Sequence, residues 1–137
     1  MQIVPYLNFD GQCREAFDFY RRALRGEIVG AMTYGESPMA AELPADSHDR
    51  VIHIQLDADG ASLMGADIPP GQHSATESQT CINVMVDNDA EAERIFHALA
   101  EGGSVQMPIE ETFWAHRFGM LVDRYGKPWM VNHLRTC

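Results

Sequence analysis

Histidines are the side chains of this sequence that can move protons or bind metals near neutral pH, and there are six of them. His48, His73 and His97 lie in a loop, a Gly/Pro/Ser-rich connection and a helix, where we expect them to be exposed. His53 and His116 differ, because they fall in or beside predicted strands. A neutral imidazole there could exchange a proton or contact a ligand, and the alternative is a core or rim side chain without chemistry.

Strand alternation divides the residues around these histidines into two faces, since successive side chains of a strand point to opposite sides. In VIHIQL and CINVMV, one face is aliphatic and the other is polar or thioether-bearing. We take this second face, together with the aromatic turn ETFWAH beside it, as the ligand-binding surface. The predicted ligand-binding residues are Tyr6, Gln55, Met64, Asn83, Met85, Trp114, Phe118, Met120 and Met130. Flexible thioethers around a few hydrogen-bonding groups suit an organic ligand, whereas the alternative is methionines that fill an irregular core.

The elements that must position these side chains form a repeat. Two amphipathic segments that begin near Gly11 and Asp89 are predicted helices, with Asn88 as the N-cap of the second and Gly26 and Gly102 as left-handed stops. The two stops are 76 positions apart (102 − 26), and at that offset the apolar faces of the helices coincide. A β-rich segment precedes each helix, and a β-rich segment and a hairpin follow it. The sequence therefore predicts two tandem modules.

Both predicted hairpins turn at the pattern Asp-x-x-Gly, in residues 57–60 and 123–126. Their glycines are 66 positions apart (126 − 60), which is ten fewer than the helix stops, so the first module has about ten additional residues. We place these in residues 37–49 as a surface insertion, with a lid as the alternative. The two modules divide between about Gly71 and Gln79.

Length and composition favour a single domain over residues 1–137, with module 1 at about 1–70 and module 2 at about 79–137. Twenty acidic and ten basic side chains give a net charge of -10, which argues against nucleic acid as a partner. The absence of a long apolar run or signal peptide argues against a membrane partner and for the cytoplasm. Cys13, Cys81 and Cys137 form no CxxC pair and are odd in number, which indicates a reducing compartment.

Several segments carry a resemblance to a known family, namely PYLNFDGQCREAFDFY, LMGAD, DNDAEAERIFHALAEGG, ETFWAHRFGM and DRYGKPWMVN. Together they resemble the PhnB-like family of the vicinal oxygen chelate superfamily, which includes glyoxalase I, extradiol dioxygenases and the bleomycin resistance proteins. The resemblance implies an α+β fold, in which two tandem βαβββ modules form curved mixed sheets around a cavity for a small organic ligand. It also implies a homodimer.

Enzymes of that superfamily hold a divalent metal with His and Glu ligands from the first and last strands of the modules. This sequence departs from the pattern, because Met64 and Met130 stand near the usual acidic positions and the first strands offer Tyr6 and Asn83. We therefore expect no metal at that position and no cofactor. Relatives also carry a demethylubiquinone methyltransferase-like label, which we set aside because no glycine-rich nucleotide loop follows a strand.

Three functions stay open at this point. The first is metal-free binding of a small organic molecule, in the manner of the bleomycin resistance proteins. The second is an enzyme, either a metal-dependent lyase, isomerase or dioxygenase with rearranged ligands, or a metal-free proton-transfer catalyst that uses His53 or His116. The third is an interaction module whose cavity is closed by its methionines. For the first two, we expect one cavity bordered by His53, Asn83, Trp114, His116, Phe118 and Met120.

Overall fold

Both halves of the chain follow the same order of strands and one helix in a computed structural model that describes residues 2–69 and 80–135. The chain divides into two compact units, Met1–Thr76 and Glu77–Cys137, which we call module 1 and module 2. The predicted βαβββ repeat and the α+β fold class are confirmed. The predicted division between Gly71 and Gln79 lies outside the described residues. Within the described ranges, no helix has the length and hydropathy needed to cross a bilayer.

Module 1 forms one four-stranded mixed sheet with one helix. Its elements are β1 (Tyr6–Phe9), α1 (Cys13–Leu24), β2 (Glu27–Thr33), β3 (Val51–Ala58) and β4 (Ala61–Asp67). The strand order is β1-β4-β3-β2, in which β1 runs parallel to β4 and the other neighbours are antiparallel. Three short 3₁₀ turns lie between β2 and β3. Tyr34–Glu36 precedes the predicted insertion, and Ala40–Glu42 and Ala45–Ser47 lie within it.

Module 2 repeats this architecture. Its elements are β5 (Ile82–Met85), α2 (Asp89–Ala100), β6 (Ser104–Glu110), β7 (Ala115–Val122) and β8 (Pro128–Leu134). The strand order is β5-β8-β7-β6, again with a parallel pair at one edge, β5 with β8, and antiparallel pairs elsewhere. The predicted mixed sheets are therefore present in both modules.

Each helix packs on one face of its own sheet, and a glycine in that face admits an aromatic ring of the helix. A Cβ atom on Gly65 of β4 would lie 2.7 Å from Cε1 of Phe17 in α1. A Cβ atom on Gly119 of β7 would lie 2.6 Å from Cε2 of Phe96 in α2. Both rings are buried. The helix-facing side of each sheet is therefore fixed by close packing.

The ends of the helices agree with the sequence prediction except at one glycine. Asn88 caps α2 as predicted, because its side-chain oxygen accepts a backbone N–H of the first turn at 2.7 Å. Gly102 is left-handed, with a φ of 76°. In α1, however, the left-handed residue is Arg25, with a φ of 53°, and the prediction for Gly26 is wrong. A Cβ atom on Gly26 would lie 2.7 Å from the carbonyl oxygen of Asp57, so glycine is needed there for a close approach of two backbones.

The two predicted Asp-x-x-Gly turns are present but differ in length. Asp59 and Gly60 alone connect β3 to β4, and their φ angles of 49° and 80° are those of a tight hairpin turn. Residues 123–127 connect β7 to β8, where the N–H of Gly126 donates to the carbonyl oxygen of Asp123 at 2.9 Å. The carboxylate of Asp123 also accepts the indole N–H of Trp129 at 2.8 Å, which ties the longer turn to the core.

Candidate ligand-binding faces

The side of the module 1 sheet that points away from α1 contains the predicted ligand-binding residues of that module. Since Gly65 faces α1, the neighbouring Met64 faces the other way. Backbone register then joins one residue from each strand into a row, Tyr6 to Met64, Met64 to Gln55, and Gln55 to Gly30. Register partners share a face. We call these four residues the central row of module 1, and the face that carries them the helix-free face.

His53 lies on the same helix-free face, because it is two residues before Gln55 in β3. Its Nδ1 lies 3.3 Å from the hydroxyl oxygen of Tyr6, and the two rings are tilted by 31°. Burial, followed by the charges of Cys13 and Tyr34, raises the pKa of the Tyr6 phenol. The phenol is therefore protonated at neutral pH and can donate to the His53 nitrogen. With 47% of Tyr6 exposed, this pair is open to solvent.

Gln55 is held in place by neighbours at the hairpin end of the sheet. Its amide nitrogen donates to Oδ1 of Asp57 at 2.9 Å, and the Ser62 hydroxyl donates to the same oxygen at 2.8 Å. These two hydrogen bonds hold the pKa of the Asp57 carboxyl below its ordinary value, and the bond from Gln55 has the larger effect. A negative charge therefore orients the Gln55 amide at the edge of the central row.

The helix-free face of module 2 has a different composition. Gly119 faces α2, so the neighbouring Met120 points away from the helix. Register joins Met107 to Met120, Met120 to Met130, and Met130 to Asn83. This central row of module 2 contains three predicted ligand-binding residues, and Met107, which alternation did not reveal. Pro108 and two register shifts around Met107 break the alternating pattern in β6.

A second row on this face joins Phe118, Asn132 and Met85. Phe118 and Asn132 are buried, and the side-chain amide of Asn132 donates to Oδ1 of Asn83. The ring of Trp114 lies 5.4 Å from that of Phe118 in an edge-to-face arrangement, and 42% of Trp114 is exposed. Asn132 therefore lies on the same face as the predicted ligand-binding residues of module 2. Strand alternation indicates this position, because Asn132 follows Met130 by two residues.

His116 lies elsewhere. The register of β7 shifts between Ala115 and Arg117, which leaves His116 as the additional residue of a bulge. Its ring contacts that of His133, with centroids 4.6 Å apart and planes tilted by 37°. Nδ1 of His133 is 2.8 Å from Oδ1 of Asp89, the first residue of α2. The structure thus brings His116 together with His133 on the side of α2, because a bulge redirects its side chain.

Charged side chains surround this histidine pair. The hydrogen bond from His133, followed by the charge of Arg117, holds the pKa of the Asp89 carboxyl below its ordinary value. Nη1 of Arg135 lies 3.5 Å from Nδ1 of His116, while Nη2 pairs with the Glu111 carboxylate at 2.5 Å. These ion pairs are partly exposed, where such pairs contribute little to stability.

The other histidines have different surroundings. Nε2 of His48 lies 2.9 Å from the carbonyl oxygen of Ala40, so this half-buried ring is part of the insertion. His97 is exposed on α2, as predicted. His73 lies outside the described residues.

The donor sets of the two modules do not fit the hard divalent metal that the superfamily uses. In the described part of the chain, no three His, Cys, Asp or Glu side chains come together closely enough to hold a metal ion. Between the first and last strands, Tyr6 is beside Met64 in module 1, and Asn83 is beside Met130 in module 2. Hard cations need carboxylate, carbonyl or imidazole ligands, so a thioether at each last-strand position does not suit them.

Two four-stranded mixed sheets, each with one helix in a βαβββ order, define the fold of the glyoxalase and bleomycin resistance proteins, the vicinal oxygen chelate fold. The fosfomycin resistance protein FosX from Listeria monocytogenes has this fold, with a TM-score of 0.67 over 98% of this chain and 93% of that chain at 9% identity. Residues 1–132 match the family described as 3-demethylubiquinone-9 3-methyltransferase, and the chain belongs to this PhnB-like family.

Relatives from three bacteria support this assignment. Protein YjdN of Escherichia coli K12 is 32% identical in an alignment 142 residues long, which covers 96% of this chain and 95% of YjdN. Protein PA1353 from Pseudomonas aeruginosa is 48% identical in sequence, and its crystal structure matches with a TM-score of 0.87 over 96% of each chain. A PhnB protein from Bacillus cereus is 28% identical, with a TM-score of 0.79 over 96% of this chain and 98% of that chain. The resemblance in the sequence is confirmed.

Proposed function

We propose that this protein binds a small organic molecule on the helix-free faces of its sheets, without a cofactor and without a metal at the superfamily's usual position. The observation that carries the proposal is the composition of the module 2 face, where three methionines of one row adjoin Phe118 and the Asn83–Asn132 amide pair. Polarizable thioethers and an aromatic ring around a few amides are typical of sites for organic ligands.

The module 1 face supplies the hydrogen-bonding part of this proposal. Tyr6 and His53 form a polar pair that is open to solvent, and Gln55 lies in the same central row as Tyr6. A phenol and an imidazole can each donate and accept hydrogen bonds. They would fix the orientation of a ligand that is bound on this face.

A metal-free proton-transfer enzyme is the second candidate, and the Tyr6–His53 contact favours it. An imidazole within 3.3 Å of a phenol can exchange a proton with a substrate while the phenol fixes its orientation. His116 is a weaker candidate for this role because it lies beside His133. The methyltransferase activity in the family's name has no such support, since the described strands form two mixed four-stranded sheets rather than one doubly wound parallel sheet.

We further propose that the two modules make one domain, that the protein is a homodimer, and that it resides in the cytoplasm. The edge strands β2 and β6 expose Val29, Met32 and Val105, which association would cover. Among the described residues, Cys13 and Cys81 form no disulfide, in keeping with a reducing compartment. Sedimentation at micromolar concentration tests the dimer, and a clean monomer would refute it.

The function is tested by a thermal-shift screen of small organic acids, phenols and quinones, followed by titration of each hit. Trp114→Ala removes an exposed ring that contacts Phe118, so we expect binding to weaken by about 1–3 kcal/mol without loss of the fold. Substitution of the exposed His97 by Ala is the control and should leave binding unchanged.

The module 1 face is tested with the same hits. His53→Gln should weaken binding, and Tyr6→Phe, which removes only a hydroxyl, should do so by about 1 kcal/mol. If wild type and all three site variants bind every hit equally, the proposed faces do not bind the ligand. Turnover of a hit that His53→Gln abolishes would favour the proton-transfer enzyme instead.

A further inference from the structure

The central row of module 2 places three thioethers side by side on adjacent strands. Met107, Met120 and Met130 belong to β6, β7 and β8 and are direct register partners. Neighbouring strands are about 4.8 Å apart, and each methionine has three rotatable side-chain bonds. Their sulfur atoms can therefore reach a common point above the middle strand.

The surroundings of this row suit a cation with a single charge. Met107 is 44% exposed, while Met120 and Met130 are half-buried, so an ion can enter from solvent and then lose part of its water. The row contains no ionised side chain, and Glu110, the register partner of Phe118, supplies one carboxylate on the same face. The chain has a net charge of -10, which raises the local concentration of cations.

Ligand chemistry narrows the class of ion. Neutral thioether sulfur is a soft ligand that binds Cu(I) and related d¹⁰ ions and competes poorly for Mg²⁺, Ca²⁺ or Mn²⁺. A doubly charged ion would also lose more hydration energy than three neutral ligands can replace. Three thioethers would therefore select a soft monovalent ion over the hard divalent metal that enzymes of the superfamily use.

We propose that Met107, Met120 and Met130 form a binding site for one soft monovalent cation, of the class of Cu(I) and Ag(I). The ion would use the same methionines as the organic ligand proposed above, but this proposal rests on the register of the methionines and not on that ligand. Module 1 provides an internal control, because the central row there has Gly30, Gln55 and Met64 on the corresponding strands and so only one thioether.

The test uses silver nitrate in chloride-free buffer with protein labelled at the methionine methyl groups. Thiols bind silver, so the parent protein is the Cys81→Ser, Cys137→Ser variant, with the fully buried Cys13 retained. We expect the methyl NMR signals of Met107, Met120 and Met130 to shift together and to saturate at one equivalent. If the signals of all methionines shift in proportion to their solvent exposure, including those of the exposed Met39 and Met85, the binding is adventitious and the proposal is overturned.

Affinity in variants provides the second arm. Leucine keeps the size and apolar character of methionine without the sulfur, so Met120→Leu should fold normally and weaken silver binding by at least about tenfold. Met64→Leu in module 1 is the matched control and should leave the affinity unchanged. Equal affinity in parent and Met120→Leu would overturn the proposal. The organic-ligand titrations contain no silver, so failure of one proposal is distinguishable from failure of the other.

Discussion

The two modules share their strand order and differ in the side chains that each sheet presents on its two faces. On the helix-facing side, both sheets bury large apolar residues, such as Ile54 and Leu56 in module 1 and Leu121 and Trp129 in module 2. On the helix-free side, the central row has one methionine in module 1 and three in module 2. Close packing against a helix restricts residue type. The opposite face is free of that restriction, so the difference in chemistry between the modules lies there.

The modules also differ in how the start of the helix is tied to the last strand. Asp67 ends β4 and is buried, with 2% exposed. Its carboxylate accepts backbone N–H groups from Gly11 at 2.7 Å, Cys13 at 3.0 Å and Val51 at 2.9 Å. One side chain thus joins β4 to the start of α1 and the start of β3.

His133 takes the corresponding place in module 2, since it follows Met130 by three residues as Asp67 follows Met64. It contacts the side chain of Asp89 at the start of α2, and both partners are partly exposed. A buried carboxylate with three backbone donors stabilises far more than a partly exposed pair. The link between the last strand and the start of the helix therefore depends on one buried carboxylate in module 1 and on a partly exposed pair in module 2.

The largest expected effect tests this dependence. Asp67→Ala leaves three backbone N–H groups, two of them buried, without their acceptor and should lower the free energy of unfolding by about 3–5 kcal/mol. His133→Ala should cost less than about 1 kcal/mol. Urea unfolding of both variants gives the two values, and similar losses would break the contrast between the modules.

The glycines under the helices should have intermediate effects of similar size in both modules. Gly65→Ala would place a Cβ atom 2.7 Å from Phe17, and Gly119→Ala would place one 2.6 Å from Phe96. We expect each to cost about 1–3 kcal/mol by overpacking. Gly30→Ala on the helix-free face, where a Cβ atom meets nothing within 4 Å, is the control. Thermal and urea unfolding measure the stability of each variant. A Gly65→Ala or Gly119→Ala protein as stable as Gly30→Ala would contradict close packing of the helices on these glycines.

The hairpin turns should respond alike although they differ in length. Gly60 and Gly126 have φ angles of 80° and 82°, and nothing lies within 4 Å of a Cβ atom at either position. Replacement by Ala should therefore cost about 1 kcal/mol in each module, through the left-handed backbone alone. A large difference between the two losses in urea unfolding would show that turn length, and not local backbone strain, controls the effect.

The smallest expected effect is a pH dependence at Asp89. Its folded-state pKa lies below the ordinary value of 3.8, so its contribution to stability is present above that pH and is lost as the pH falls through the folded-state value. Asp89→Asn should then be less stable than wild type near neutral pH, with a difference that shrinks in acid. Asp57→Asn in module 1 should show the same sign, because its pKa is also lowered. Urea unfolding from pH 7 to about 2.5 tests both, and a difference that stays constant with pH would exclude this linkage.

Much of the fold was predictable because its signals are local. Helical spacing, the Asn88 cap and the two Asp-x-x-Gly turns each depend on a few neighbouring residues and together indicated the repeat. The role of Gly26 was not predictable, because it is set by contact with the backbone of Asp57, far away in the sequence. Long-range approach of two segments leaves no local pattern.

The helix-free faces were predictable where strands are regular and not where they are irregular. Alternation placed Gln55 and Met64 on one face of module 1 and Met120 and Met130 on one face of module 2. It failed at His116, which lies in a bulge. A single inserted residue reverses the alternation, and nothing in the sequence marks where that happens.

An organic ligand that is bound on a helix-free face would contact the methionines of that face. Methionine methyl NMR of the wild-type protein, titrated with a hit from the thermal-shift screen, tests this most directly. We expect saturable shifts at Met120 and Met130 for a ligand on the module 2 face, or at Met64 for a ligand on the module 1 face, with Met39 in the insertion unchanged. Saturable binding that leaves Met64, Met120 and Met130 unshifted would place the ligand elsewhere and contradict binding on these faces.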